Sequence, residues 1–363
     1  MRRERREKPP RAMAVLAPVL APVLAPVLAV VLAALGAALL FAALGRDPLA
    51  CLHTLFIAPL ADRNGWSELA LKATPLLLCA IGIAVGVRAN VWNIGAEGQF
   101  TMGAIAGGAT ALVLGPAGGW YVLPLVLLAG IAGGAAWGGV AALLRTRFNA
   151  HEILVTLMLS YVAIQVLGWL VRGPMQDPEG FNFPQSRLFD PSALLPALFE
   201  GGRVTVAAVF AVLTVPLGAL LLGRTVMGYR LRVVGLAPGA ARYAGFSERG
   251  AVWFCLLLSG GLAGLAGICE VAGPIGQLMP SISPGYGFAG IIVAFLGRLQ
   301  PVGIVFASLL MALLYLGGES LQITQQLPLA ATGVIQGMLL LFLLAADVLT
   351  LYRPRWVRRR AHG

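Results

Sequence analysis

From Met13 onward the chain alternates long apolar runs with short polar breaks. A helix needs about 20 apolar residues to cross a bilayer. On that measure the pattern predicts spans at about 24–44, 67–87, 96–114, 120–144, 152–171, 203–223, 251–272, 287–297, 302–320 and 327–351, the eighth too short to cross alone. The expected fold is therefore all-α: a polytopic membrane protein of about ten transmembrane helices. No polar linker divides it, so residues 13–351 read as one membrane domain between basic tails at 1–12 and 352–363. The first run repeats Ala-Pro-Val-Leu, with Pro18, Pro22 and Pro26 four apart. An interior proline costs a helix ~3 kcal/mol. A regular helix is thus expected to begin near Leu24, after an irregular or interfacial lead-in. A cleaved signal peptide also starts with basic residues, but its apolar core is only about 7–15 residues long. A retained first helix is the favoured reading.

The positions of the basic residues set an orientation. With the N-terminus in the cytoplasm, 20 of the 26 fall on the cytoplasmic side, among them Arg88, Arg145, Arg224, Arg242, Arg298 and both tails. The opposite side keeps Arg46, Arg63, Lys72, Arg172, Arg187 and Arg203. Positive charge gathers on the cytoplasmic side of membrane proteins, which puts both termini inside. The largest outer loop is then 172–202 and the longest cytoplasmic one 224–249.

Composition sharpens the class. The chain is 59% apolar and 11% charged, against about 25% charged in soluble domains. Its 46 glycines suit closely packed membrane helices. The net charge of +11 follows from topology and does not point to nucleic acid, because only Lys8 and Lys72 are lysines and no basic patch interleaves with aromatics. Cys51, Cys79, Cys255 and Cys269 show no CxxC spacing and read as small apolar residues. His151-Glu152 lacks the second histidine of a zinc-protease helix and reads as a helix start. No metal cluster, nucleophile with a base, or Walker-type Gly-Lys-Ser/Thr is visible, so no cofactor is expected and ATP hydrolysis would come from another chain.

Segments 67–171 and 251–351 each contain four spans and run in opposite senses on this topology. Each has a glycine-rich interruption before its second span: Asn93-Ile94-Gly95-Ala96-Glu97-Gly98-Gln99 and Ser283-Pro284-Gly285-Tyr286-Gly287-Phe288. Paired interruptions in inverted repeats point to a transport pathway. Asn93, Gly95, Glu97, Gln99, Tyr286 and Phe288 are the candidate pathway residues. Polar groups at membrane depth are costly and face protein or a water-filled cavity. The plainer alternative is that Asn93 caps the helix at 96–114 and Glu97 complements that helix's own N-terminus. In the loop 224–249, Pro238 and Gly239–Gly245 suggest a helix of about two turns that Gly245 ends as a cap. Its small face (Ala240, Ala241, Ala244) suits docking in a partner's groove, and Arg242 and Tyr243 offer anchors. Contact with lipid head groups is the alternative for such a loop.

These pieces carry a resemblance. Thr74-Pro75-Leu76-Leu77-Leu78, the Asn93–Gln99 window, Val155-Thr156-Leu157-Met158-Leu159, Arg172-Gly173-Pro174, Arg232-Val233-Val234-Gly235 with Ala240–Gly245, Ser259–Gly267, and Ser283–Phe288 through Leu296-Gly297-Arg298 occur in order. Over residues 67–345 the chain resembles the nucleoside-type permease subunits of ABC importers, in the superfamily that also serves simple sugars and branched-chain amino acids. The resemblance implies a type II-like importer permease of the bacterial plasma (inner) membrane. It implies three partner proteins: an ABC ATPase subunit, a second related permease subunit and an extracytoplasmic substrate-binding protein. Gly235, Ala240, Ala241, Arg242, Tyr243 and Gly245 would carry the ATPase coupling. The chain departs from the pattern at Ala289, where an Asp is usual, and at His151, where an Asn is usual, and this bears on substrate choice. A simple-sugar permease and, further off, an ion-coupled secondary transporter are the alternatives. A membrane enzyme or scaffold would need a catalytic constellation or a large soluble face.

Overall fold

A computed structural model describes the backbone of residues 2–5, 11–199 and 201–355, and the side chains of residues 25–199, 201–328 and 330–346. In chain order the helices are α1 (Arg11–Ala43), α2 (Pro48–Phe56), α3 (Arg63–Arg88), α4 (Ala96–Leu114), α5 (Val122–Phe148) and α6 (Glu152–Leu170). There follow α7 (Ala207–Arg224), α8 (Val226–Leu236), α9 (Pro238–Tyr243), α10 (Glu248–Glu270), α11 (Tyr286–Leu296), α12 (Pro301–Gln325) and α13 (Leu329–Leu351). Among the described residues eight helices are long and apolar enough to cross a membrane, with shorter apolar helices at Pro48–Leu60, Tyr286–Leu296 and Ala330–Ala346. The protein is a polytopic all-α membrane protein. Apart from the helices, Arg2–Arg5 pairs antiparallel with Tyr352–Arg355.

Each of the ten predicted apolar stretches coincides with a helix, and the eighth is the 11-residue α11. Two expectations need correction. The proline repeat is not an irregular lead-in, because α1 runs unbroken from Arg11. With the prolines four apart, the forfeited bonds to the carbonyls of Ala14, Pro18 and Pro22 share one strip, and the remaining ladder survives. A backbone without water has no better partner than that ladder. The polar connectors also hold more helix than the pattern suggests, since α2 and α8 were not anticipated. Asp47 starts α2 by accepting from Leu49 N–H at 3.0 Å, with Pro48 at the first helical position. Thr225 starts α8 by accepting from Gly228 N–H at 3.0 Å. Such caps satisfy amides that a helix start leaves orphaned.

The chain forms two compact units, Asp62–Leu313 and Met1–Ala61 with Leu314–Gly363. In the smaller unit α1 packs on α13, and a Cβ at Gly36 would lie 2.9 Å from Met338 Sδ. In the larger unit α3 is the central helix, enclosed on nearly every face from Leu69 to Gly86. A helix apolar all round belongs in such a position. It carries Pro75, and Thr74 beside it donates to the Ala70 carbonyl at 2.9 Å.

The tightest packing joins α4, α5 and α10. A Cβ on Gly264 would strike the Gly130 carbonyl and sit 2.9 Å from Gly134 Cα. One on Gly103 would strike Gly264, and one on Gly267 the Phe100 carbonyl. Lipid tails are as apolar as leucine, so membrane helices associate through close van der Waals contact at small residues. Gly264→Val should therefore abolish the monodisperse peak in size-exclusion chromatography. Gly333→Val, at an exposed α13 position with open space around it, should leave the peak intact. Equal behaviour of the two variants would refute this account of the contact.

Candidate functional site

The two glycine-rich interruptions lie together in the larger unit. Residues 89–95 join α3 to α4, with Asn90 at φ 56°. Asn93 then folds back: its Oδ1 accepts from Gly95 N–H at 3.0 Å and from Gln99 Nε2 at 3.2 Å. Its Nδ2 donates to Gln99 Oε1 and to Ser259 Oγ on α10, each at 2.8 Å. From α6, Thr156 Oγ1 accepts from Ile94 N–H and Ser160 Oγ from Gly98 N–H, both at 3.2 Å. A Cβ at Gly95 would come within 2.8 Å of Thr156, and one at Gly98 within 2.6 Å of Ser160 Cα. The two glycines are therefore what lets α6 reach these amides.

Glu97 crosses between the two interruptions. It is 4% exposed, and its carboxylate accepts from Gly287 N–H at 2.7 Å, from Phe288 N–H and from the Ser283 hydroxyl. Ser283 Oγ in turn accepts from the N–H groups of Gly285 and Tyr286 at 3.0 Å. Gly285 turns the chain at φ 96°, and a Cβ on Gly287 would strike Glu97 N. Tyr286 is buried 6.2 Å from the Phe100 ring. Asn93 holds its own turn and Glu97 lies in the first turn of α4, as the plainer alternative expects. The Glu97 carboxylate in addition meets the N-terminus of α11. Orphan amides and the helix dipole make that terminus a natural seat for a carboxylate.

Of the six candidate pathway residues, Asn93, Gly95, Glu97, Gln99 and Tyr286 are buried in this cluster, and Phe288 beside them is half-buried. They meet where the two interruptions join. Sequence reasoning missed their partners Ser259, Thr156, Ser160 and Ser283 as site residues. For Ser259, Thr156 and Ser160 the available signal was a small hydroxyl residue inside an otherwise apolar helix. Ala289 is buried and His151 exposed, while Glu152 pairs with Arg145. Among the described residues no three His, Cys, Asp or Glu side chains converge on a metal position.

The second window, 224–249, is the pair α8 and α9. Gly245 follows α9 at φ 77°, and Ser247 caps α10 by accepting from Gly250 N–H at 3.0 Å. Leu231 and Val234 of α8 join Val85, Ala89 and Leu256 in one apolar cluster. A Cβ at Gly235 would strike the Arg88 carbonyl. Ala241 is 2% exposed and belongs to the same cluster. It is therefore not part of an outward small-residue face, which corrects the expectation. Ala240, Arg242 and Ala244 do face outward, and Tyr243 is 96% exposed. Beside them a groove of about 350 Å³ is lined by Met227, Arg230, Val234, Phe246 and Ala251, with the Arg230 guanidinium 5.6 Å from the Phe246 ring centre.

The larger unit thus combines closely packed membrane helices, two interruptions joined at a buried carboxylate and a two-helix platform projecting a tyrosine. Residues 65–344 match the family described as branched-chain amino acid transport system / permease component, and the chain belongs to that family. It is similar to a glucose ABC transporter permease protein of Haloferax volcanii, at 36% identity over 86% of this chain and 84% of that one. A guanosine ABC transporter permease protein of Bacillus subtilis is 31% identical over 75% and 78% of the two chains. A nucleoside ABC transporter permease protein of Lactococcus lactis is 27% identical over 87% and 89%. The resemblance to the nucleoside-type branch thus stands, beside a sugar-type relative.

Glu97→Ala should leave the α11 amides without their acceptor. Leaving a buried donor unsatisfied costs about 1–3 kcal/mol, so a clear drop in the thermal midpoint of the purified protein is expected. Glu97→Gln, which keeps an acceptor oxygen, should lose less. An unchanged midpoint in Glu97→Ala would mean that α11 is satisfied in another way.

Proposed function

We propose that this permease forms the membrane route of an ATP-driven importer for a small polar solute, a nucleoside on the first reading. The observation that carries the proposal is the family match over residues 65–344, and the guanosine and nucleoside relatives support the cargo. A simple sugar is the second reading, favoured by the glucose relative's higher identity of 36%. Both cargoes present a polyhydroxylated ring. On this reading an extracytoplasmic binding protein delivers the solute, a second related permease completes the route, and an ABC ATPase subunit supplies the work. Asn93, Gly95, Glu97, Gln99, Tyr286 and Phe288 support the route by holding the starts of α4 and α11 together. Uptake of radiolabelled guanosine into vesicles holding the full complex tests the cargo. Competition by other nucleosides and not by glucose is the expected result, and the reverse would move the protein to the sugar reading.

The coupling surface is Ala240, Arg242 and Tyr243, held on the base formed by Gly235, Ala241 and Gly245. Exposure of an aromatic beside a guanidinium supports this, since those residue types concentrate binding energy. Tyr243→Ala and Ala240→Glu should leave the permease folded but reduce substrate-stimulated ATP hydrolysis at least about tenfold, the effect of ~1.4 kcal/mol. Ala241→Glu buries a charge and should prevent folding instead. Normal coupled transport in both surface variants would remove this loop from the mechanism.

Both termini are assigned to the cytoplasm of a cell bounded by a plasma membrane. The charge asymmetry supports this, as does the pairing of Arg2–Arg5 with Tyr352–Arg355. A Cys at Phe181, a fully exposed position, should label from outside the cell. A Cys at exposed Ser247 should label only after permeabilisation. Ser186, though in the same loop as Phe181, is buried and would report nothing. Labelling in the opposite sense would invert the topology.

A further inference from the structure

Three breaks in the larger unit meet at one small cleft of about 10 Å³, lined by Leu71, Thr74, Pro75, Thr205, Cys269, Glu270 and Pro274 among others. In α3, Pro75 has no N–H to give the carbonyl four residues back, that of Leu71. In α10 the helix widens to a π-turn over Val271–Ile275, which contains Pro274. The third break is the start of α7, where Thr205 precedes the first turn. Thr205 is 6% exposed, and its Oγ1 finds no hydrogen-bond partner among the described residues. Leaving a buried hydroxyl unmatched is destabilising, and π-turns of this kind recur at functional sites.

We infer that this cleft is a binding site for one water molecule, held by Thr205 Oγ1 together with the other polar side chains of its lining, Thr74 and Glu270. The volume is at the size one water needs, and two to four polar partners are the usual number for a buried water. Charge decides between water and a monovalent cation of similar size. Glu270 lies in the field of Lys72 and Arg203 as well as Glu68, and Arg203 pairs with Glu68 at 2.7 Å. With Lys72 and Arg203 already beside the carboxyl groups there, a further cation is disfavoured and a neutral occupant fits the cleft better. The water gives Thr205 Oγ1 its partner. It thereby hydrates the point where α3, α7 and α10 all depart from regular geometry.

The test turns on a sign. Thr205→Val keeps the shape and removes the hydroxyl. If the cleft holds water, the substitution strips that water of a partner, and the thermal midpoint of the purified protein should fall by about 2 °C or more. Thr205→Ser keeps the hydroxyl and should stay near wild type. If the cleft is dry, Thr205→Val removes an unmatched polar group, and the midpoint should hold or rise, which overturns the assignment. Equal losses in Val and Ser variants would trace the effect to packing and overturn it as well. A wild-type midpoint that climbs with sodium or potassium at constant ionic strength would put a cation in the cleft and likewise overturn it.

Discussion

The structure of the larger unit depends on one bond set: the Glu97 carboxylate on the first amides of α11. Inside a bilayer a broken helix leaves N–H groups with no water to answer them. Here the chain breaks before both α4 and α11, and each break is answered by a side chain distant in sequence. Glu97 and Ser283 serve α11, while Asn93, Thr156 and Ser160 serve the entry to α4. The buried carboxyl group is tolerated because amides of a helix terminus converge on it. The amides are tolerated because its oxygens are there. Neither break is stable alone, so the two interruptions act as a single joint.

The joint needs close approach, and glycine provides it. Gly95, Gly98 and Gly287 each stand where a Cβ would collide with the opposing backbone or with Thr156. The α4–α5–α10 contact follows the same rule at Gly103, Gly134 and Gly264. Polar satisfaction and small-residue packing are thus one requirement seen twice. Hydroxyls on α6 reach amides of the α4 entry only because nothing projects between them.

Much of this was legible in the sequence. Apolar run length placed the membrane helices, the short run at 287–297 anticipated α11, and Pro238 with Gly245 anticipated α9. The importance of Asn93, Glu97 and Gln99 could be read from polar groups at the mouth of an apolar span. Their partners could not, because Ser259 lies 166 residues from Asn93, and Gly287 lies 190 from Glu97. Periodicity reports which face of a helix is apolar, not which distant amide a carboxylate will meet. The same limit explains Ala241. Alanine carries no polarity signal, so only the neighbouring Leu231 and Val234 could show that it points inward. The proline repeat misled for a different reason: per-residue propensity counts each proline separately, whereas fourfold spacing lets three of them share one damaged strip.

The glycine seam of α4, α5 and α10 also bears on how such a protein can diverge. Ordinary core contacts drift by compensation, a larger side chain on one helix being met by a smaller one opposite. At Gly264 the opposing atoms are the Gly130 carbonyl and the Gly134 backbone, and a backbone has nothing left to trim. No second-site change can accommodate bulk there. The seam is consequently closed to stepwise evolution, and any retuning for a new cargo is channelled to surfaces where side chains still face side chains.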